Sequence, residues 1–318
     1  MPAPARFIRS LLFVPGSRPE MMAKAAASQA DAVCLDLEDS VVPDQKAAAR
    51  AHVVRALGEL DFGRRVRVVR INALDTPFAY RDLVDVLEAA GDRVDVVMVP
   101  KVGAPRDIAF VETLVSQIEA ARGPARRPAR RSLGEGGPIG IEAQIETAAG
   151  FLYAREIAAA SPRLEGLIFG PGDFAASMQM PAAAIGEPDA NDAEYPGHRW
   201  HAVMQTIVAA ARANGLRCMD GPFAGYRDPA GLARACALAR SLGFDGKQCI
   251  HPAQLATVNT AFAPTPAEVS AAARLVGAVE QAALAGQGAA SHDGRMIDAV
   301  SLRLAQVVLE RHKRSQGG

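Results

Sequence analysis

Cysteine is scarce in this chain, and net charge is absent. Four cysteines, Cys34, Cys218, Cys236 and Cys249, occur in 318 residues. They show no Cys-x-x-Cys spacing and each lies in an apolar run, which argues for buried free thiols in a reducing compartment rather than a disulfide framework. Lys+Arg and Asp+Glu are both 35, a formal net charge of zero. No global basic field therefore recruits nucleic acid or a membrane surface. No apolar run approaches ~18 residues, so no segment reads as a membrane span. The first ten residues, MPAPARFIRS, lack the apolar core of a secretory signal, and a soluble, cytoplasmic protein is expected. Three catalytic signatures are also missing. No Gly-x-Gly-x-x-Gly follows the first strand, no Gly-x-Ser-x-Gly is present, and no His/Cys cluster has zinc spacing.

What is present is a regular alternation. Hydrophobic residues make up 49% of the chain, enough for one large domain plus an appendage. Short apolar runs at 11–14, 32–37, 65–71, 94–99, 139–145, 164–169, 216–219 and 246–250 read as strands. Helical patterns follow them, among them 19–30, 43–57, 79–90 and 148–160, with Pro19, Pro43 and Pro105 at helix starts. Eight strands, each followed by a helix, over ~250 residues predict a (β/α)8 barrel. The near-continuous apolar character of each strand suits parallel strands covered on both faces. A doubly wound open sheet is the alternative and fits the count less well.

Three segments break the rhythm. Residues 122–137 (RGPARRPARRSLGEGG) hold five arginines, two prolines and four glycines. With no aromatic residue to stack a base, they read as a flexible, solvated insertion rather than a nucleic-acid patch. Residues 174–199 form a long connection after strand 6, expected to act as a lid; the sole tryptophan, Trp200, follows it. From Pro264 the chain leaves the barrel: a helix over 266–284, a small-residue loop over 285–294 and a helix over 296–311 are expected. The predicted domains are a catalytic barrel, 1–262, and a C-terminal helical extension, 263–318.

In a parallel barrel, chemistry collects at the C-terminal ends of the strands. The stretch Asp31-Ala-Val-Cys-Leu-Asp-Leu-Glu-Asp-Ser-Val-Val-Pro-Asp44 runs an apolar strand straight into Asp36, Glu38 and Asp39. Such acids need cations or donors; Lys46 and Arg50 are one set of partners, a functional site the other. Further strand ends offer Arg70 and Asn72, Lys101, Glu142 and Glu146, Asp173, Asp220, and Lys247 with His251. A hard cation such as Mg²⁺ binds through one or two carboxylates plus substrate oxygens and water. Glu146 and Asp173, one strand apart, are the natural pair, while Glu142 would lie deeper. Arg70 is placed to hold a substrate carboxylate or a developing oxyanion. Blander readings stand beside these: Glu146 as a first-turn helix acid, Asp173 as an N-cap and His251 as a helix cap. Lys101 as a Schiff-base amine is disfavoured because the surrounding acids keep it protonated.

In order along the chain stand Leu11-Leu-Phe-Val-Pro-Gly-Ser-Arg-Pro19, Leu35-Asp-Leu-Glu-Asp-Ser-Val41, Arg70-Ile-Asn72, Val99-Pro-Lys101, Ile145-Glu-Thr147, Phe169-Gly-Pro-Gly-Asp-Phe174, Ile250-His-Pro-Ala-Gln254 and Gly294-Arg-Met-Ile-Asp298. Together they resemble the citrate lyase β-subunit-like branch of the HpcH/HpaI aldolase superfamily. Tyr195-Pro-Gly-His-Arg-Trp200, Ala209-Ala-Ala-Arg-Ala-Asn-Gly-Leu216 and Met219-Asp-Gly-Pro-Phe223 look most like its malyl-CoA/β-methylmalyl-CoA lyases. The resemblance implies a Mg²⁺-dependent (Mn²⁺ as substitute) enzyme that makes or breaks a carbon–carbon bond beside a CoA thioester. It implies Glu146 and Asp173 as metal ligands and Arg70 facing the thioester. Phe13, Arg18, Lys24, Gly172, Ile250 and His251 would line the substrate and CoA site. Asp298 would act as the acid/base residue from a neighbouring subunit of a homotrimer, or of a hexamer built of trimers, with the C-terminal extension packed on that neighbour. Asp36, Glu38 and Asp39 would stand behind the metal together with Lys101, the acids binding the metal's waters and orienting Arg70 and Lys101. The insertion over 122–137 departs from the family pattern and falls on the opposite face of the barrel.

Overall fold

The computed structural model describes residues 6–123, 138–181, 184–194, 199–284, 290–292, 295–297 and 299–316. The chain divides into two compact units, Met1–Asn259 and Thr260–Gly318.

The first unit is a closed parallel barrel: β1 (Ser10–Pro15), β2 (Ala32–Asp36), β3 (Val66–Arg70), β4 (Val96–Val99), β5 (Gly140–Ile145), β6 (Leu164–Phe169), β7 (Arg217–Asp220) and β8 (Gly246–Cys249), with β8 pairing back to β1. Around it run α1 (Pro19–Ala26), α2 (Lys46–Glu59), α3 (Ala79–Ala90), α4 (Pro105–Arg122), α5 (Ala148–Leu152), α6 (Ala154–Ala158), α7 (Pro171–Ser177), α8 (His201–Ala213), α9 (Pro229–Ser241) and α10 (Leu255–Phe262). Strand residues alternate between the barrel interior and the helical shell. Leu11, Ala32, Cys34, Val66, Val68, Val96, Met98, Ile168 and Met219 form one buried cluster, spaced by two within each strand that supplies a pair, with Phe13 packed on it. All four cysteines are buried and free.

The N-terminal end of the barrel is built differently. There Arg217 donates to Glu142 (2.6 and 2.8 Å) and to Glu165 (2.9 Å), and Glu165 also accepts from Arg6. All four side chains are buried. Glu142, the deeper carboxylate on β5, is thus consumed by a structural ion network. A register shift between β5 and β6 at Ile141/Glu142 accommodates Glu165. Gly140 makes room for it, since a Cβ there would lie 2.1 Å from the Glu165 carboxylate.

Several sequence expectations are corrected. Arg122 ends α4, followed by Gly123 as its C-cap, and is anchored on Leu87 O and Asp92; residues 124–137 of the insertion lie outside the described residues. The 174–199 segment is not one uniform connection. Its first residues belong to α7, because Pro171 at the helix start presets the backbone, and a 3-10 turn spans Ala190–Glu194. The helix expected from Pro43 begins as a 3-10 turn, Pro43–Gln45, before α2, and the one over 148–160 is interrupted at Tyr153.

In the second unit, α11 (Pro266–Leu284) and α12 (Ala299–Gln316) pack on one another. Between them β9 (Ala290–His292) and β10 (Arg295–Ile297) pair antiparallel, where a loop and the start of a helix are expected from sequence. Cross-strand pairing of Met296 and Ile297 with Ser291 and Ala290 overrides the helical reading of that short apolar run. Among the described residues no helix is long and apolar enough to cross a membrane.

Arg217→Met should strand Glu142 and Glu165 in a buried site without their shared cation. A loss of about 3–5 kcal/mol is expected, read as a lowered urea midpoint. A midpoint equal to that of the parent would show that the network contributes nothing to the fold.

Candidate active site

At the C-terminal ends of the strands a cleft of about 400 Å³ opens, lined among others by Phe13, Asp36, Arg70, Gln144, Glu146, Asp173 and Gln248. Its geometry starts from the end of β2. Asp36 takes two hydrogen bonds from Arg70 at the end of β3, Nε at 2.6 Å and Nη2 at 2.7 Å, and one from Ser40 at 2.5 Å. Planar guanidinium against carboxylate is a rigid fork. Arg70 also approaches Glu38 Oε2 at 2.9 Å, an ion pair without hydrogen-bond alignment, so that buried oxygen keeps its acceptor capacity. The Phe13 ring lies under the guanidinium at 4.8 Å. Burial alone would lift the Asp36 carboxyl, yet Arg70, Ser40 and the Glu38 N–H hold it below its usual value.

Lys101 follows β4 and bridges the acids. Its ammonium donates to Glu38 (2.5 Å) and Asp39 (3.0 Å) and lies 3.8 Å from Asp173. Its backbone N–H donates to Glu146 Oε1 at 2.8 Å. The residue holds a left-handed φ of 51°, a conformation that costs a non-glycine residue free energy and persists where surrounding contacts fix it. Burial works against the charged amine, but Glu38, Asp39 and Asp173 outweigh it and raise its pKa. It is therefore an unsuitable amine nucleophile.

Glu146, just after β5, is almost fully buried and accepts from Lys101 N and from Gln144 Nε2 (2.7 Å). It lies against Gly170, where a Cβ would come within 2.2 Å of Oε2; only glycine permits this approach. Burial, with the charges of Glu38 and Asp173 opposing ionisation, pushes its pKa up to about 8. Asp173 sits in the first turn of α7, half-exposed. It does not cap that helix, which starts at Pro171 after Gly170.

Five carboxylates, Asp36, Glu38, Asp39, Glu146 and Asp173, thus meet two cations, Arg70 and Lys101. The excess of negative charge and the raised Glu146 pKa fit a hard cation held by Glu146 and Asp173. Among the described residues no group of three or more His, Cys, Asp or Glu side chains converges on one ion position. A two-carboxylate site completed by water and ligand oxygens suits Mg²⁺, which keeps several of its waters.

Other expected residues scatter. Gly172 and Ile250 line the cleft. Arg18 and Lys24 are exposed at the start and in the last turn of α1, Arg18 paired with Glu20. His251 lies outside the cleft lining: Nδ1 accepts from Ala253 N, and the ring stacks on Tyr226 at 4.7 Å. Lys46 and Arg50 do not neutralise the acid cluster. Lys46 donates to the Leu37 and Glu38 carbonyls, and Arg50 pairs with Asp82 and Asp85. Asn72 is held by Asp82. Asp220 and Lys247 pair with each other and line a separate cavity of about 540 Å³ beside α8 and α9. Asp220 follows inward-packed Met219 and so faces the helical shell. Asp298 lies outside the described residues. Sequence reading missed Gln144, Gln248, Gly170 and Ile185 in the cleft lining. A signal existed for Gln144: it lies two residues from both Glu142 and Glu146 and shares their face.

A family model described as HpcH/HpaI aldolase/citrate lyase matches residues 9–252. The chain is 44% identical over 314 residues to an L-malyl-CoA/beta-methylmalyl-CoA lyase of Cereibacter sphaeroides, covering 97% of this chain and 95% of that protein. A (3S)-malyl-CoA thioesterase of the same species is 36% identical over 305 residues, covering 95% and 93%. Among solved structures, the protein CitE of Mycobacterium tuberculosis in complex with magnesium, acetoacetate and coenzyme A superposes with a TM-score of 0.73 at 32% identity, covering 96% of this chain and 98% of that one.

The Glu146 carboxyl has a measurable consequence. Its folded pKa of about 8 stands above the ordinary 4.5, so the folded chain holds a proton that the unfolded chain releases. The associated stability is complete below about pH 4.5 and lost as pH rises through 8. In buffer free of divalent cations, Glu146→Gln should therefore raise Tm at pH 9, by roughly 2–4 °C for about 1 kcal/mol. At pH 5 the two proteins should melt together. Equal Tm values at pH 9 would place the carboxyl's titration elsewhere.

Proposed function

The chain belongs to the HpcH/HpaI aldolase/citrate lyase family, and from that premise we propose that it is a Mg²⁺-dependent CoA-ester lyase. The reaction cleaves malyl-CoA or β-methylmalyl-CoA to glyoxylate and an acyl-CoA, or runs in reverse. One observation carries this reading: a buried carboxylate with a pKa raised to about 8 shares a single cleft with Asp173 and the clamped guanidinium of Arg70.

Held by Glu146 and Asp173, Mg²⁺ (or Mn²⁺) would supply Lewis-acid polarisation and fix the hydroxy-acid end. The hydroxyl passes its proton to a solvent base, the freed O–H pair becomes the second bond of a carbonyl and the adjacent C–C bond breaks. Its electron pair passes to the thioester as an enolate. Arg70 faces that oxyanion. The Asp36 fork takes two of its five N–H donors and fixes its plane, which leaves donors for the ligand. Protonation of the enolate carbon completes the acyl-CoA, and we assign this to Asp298 of a neighbouring subunit. Glu38 and Asp39 hold Lys101, whose N–H in turn holds Glu146, so these residues position the ligand pair. Arg18 and Lys24 form a basic entrance for the CoA phosphates, with Phe13, Gly172, Ile250 and His251 along the path inward. The 174–199 segment excludes water during the reaction.

The subunit arrangement belongs to the same reading: a homotrimer, or a hexamer of trimers, in the cytoplasm, with the C-terminal unit set on its neighbour. Val300, Leu304 and Val307, exposed along one stripe of α12, support that packing. The barrel over 1–262 is the catalytic domain and 263–318 the extension. The similarity to a malyl-CoA thioesterase makes hydrolysis of the same thioester the second reading. Citramalyl-CoA lysis, a citrate lyase β-like role and a non-catalytic metal- and CoA-binding subunit stand behind it.

A panel of malyl-, β-methylmalyl- and citramalyl-CoA, assayed with and without Mg²⁺ for glyoxylate or pyruvate and for free CoA, separates these readings. Glyoxylate released together with acyl-CoA supports the lyase, whereas free CoA with malate supports the thioesterase. Asp173→Ala should abolish Mg²⁺-dependent cleavage in a folded protein; full activity would refute the ligand assignment. Asp298→Asn should lose turnover and keep Mg²⁺ binding. Mixed oligomers of these two inactive variants should regain activity; none regained would argue against catalysis across subunits.

A further inference from the structure

Two glutamines on the inner wall of the barrel carry atoms with nothing to bond. Gln144 on β5 and Gln248 on β8 are each only 3% exposed, and both line the catalytic cleft. Gln144 Nε2 donates to Glu146 Oε2. With a cation on Glu146 that carboxylate is ionised and accepts only, so the contact then fixes the amide's orientation and leaves Gln144 Oε1 as an acceptor aimed elsewhere. Among the described residues that oxygen has no partner, and neither has the amide nitrogen of Gln248, Nε2. Leaving a buried polar atom unsatisfied is costly, and leucine or methionine would fill an inward position without that cost. Leu11, Val68, Met98, Ile168 and Met219 do so elsewhere in the same interior. The orphaned atoms therefore point to a ligand that brings one donor and one acceptor to the inner wall.

We propose that Gln144 and Gln248 bind the hydroxy-acid end of the substrate. Gln144 Oε1 accepts from the hydroxyl, and Gln248 Nε2 donates to the carboxylate. This assignment rests on the lyase reading above. Gln144 already touches Glu146, which places its free oxygen beside the end of the substrate that the cation holds. Cleavage turns the hydroxyl into a carbonyl with no proton to give, so the Gln144 contact exists only in the carbon–carbon-bonded substrate. The Gln248 contact to the carboxylate survives the reaction. Gln144 thus tells the bonded substrate from its fragments, and Gln248 tells a carboxylated chain from a plain one.

The test uses non-cleaved CoA esters that separate the two groups: succinyl-CoA keeps the carboxylate, 3-hydroxybutyryl-CoA keeps the hydroxyl and butyryl-CoA keeps neither. Dissociation constants are measured by calorimetry on the full-length oligomer at saturating Mg²⁺, with Mg²⁺ affinity measured separately. Gln248→Leu should weaken succinyl-CoA roughly 10-fold or more, the loss expected for a hydrogen bond to a charged group. Gln144→Leu should weaken 3-hydroxybutyryl-CoA roughly 3- to 10-fold. Butyryl-CoA, bound within about twofold of wild type by both variants, verifies an intact fold and CoA site. Unchanged succinyl-CoA and 3-hydroxybutyryl-CoA affinities in the variants would overturn the assignment while leaving the lyase reading intact. Equal weakening of all three esters would also overturn it. A wild-type protein that neither cleaves malyl-CoA nor binds these esters would overturn the lyase reading and this proposal together.

Discussion

The fork between Asp36 and Arg70 is the contact on which the rest of the mouth depends. An ionised carboxylate buried at the end of β2 is tolerable only because the guanidinium meets it on two matched hydrogen bonds. Once Arg70 is fixed in this way, Glu38 can be buried beside it, and Glu38 in turn anchors Lys101. Lys101 passes the order on through its backbone, whose N–H reaches Glu146 across to β5. A chain of charge-assisted contacts thus runs from β2 through β3 and β4 to β5 around the rim. Each link is short, between 2.5 and 2.9 Å, and each fixes the next group in place.

That arrangement leaves the site with more acids than bases. The fold does not relieve the excess; it concentrates it on Glu146, pressed between Gly170 and Gln144 with Glu38 and Asp173 opposing its ionisation. The opposite end of the barrel shows that this is a local choice. There Glu142 and Glu165 balance Arg6 and Arg217 in a network of matched charge. The same strand, β5, carries both cases, Glu142 matched in charge by Arg217 and Glu146 unbalanced. Structural burial of charge comes in matched sets, whereas an unmatched set at the functional face calls for an external cation.

The barrel was legible in the sequence because its strands are short apolar runs spaced by helices, and a count of eight closes only one common architecture. The charged mouth was legible as a collection of strand-end charges. What reading by position could not do was assign each charge to a side of the wall. Asp220 and Lys247 stand at strand ends like Glu146, but alternation sends them to the helical shell, where they pair. A frame error of one residue in a strand four residues long, such as β7, inverts inside and outside. The hairpin of β9 and β10 was hidden for a related reason: three residues a side carry too little periodicity to outweigh the helical pattern after them. His251 shows that a histidine beside a mouth can be absorbed by local capping and stacking.

Gln144 and Gln248 belong to neither the apolar interior nor the charged rim, and this explains why pattern reading passed over them. Carboxylates and arginines announce themselves by the cost of burying charge. A buried carboxamide costs less, and its importance depends on whether its partners are present, which only three-dimensional structure reveals. Discrimination among acyl groups that differ by a methylene is worth only about 1–3 kcal/mol and is spread over apolar packing. Recognition of a hydroxyl and a carboxylate is stricter, because a substrate lacking either leaves a buried protein atom unpaired. Under the assignment proposed above, a barrel wall carrying one orphan donor and one orphan acceptor would be selective at the acid end of its substrate and lenient at the acyl end. The charged rim would then supply the chemistry common to such substrates, and the inner wall would decide which acid reaches it.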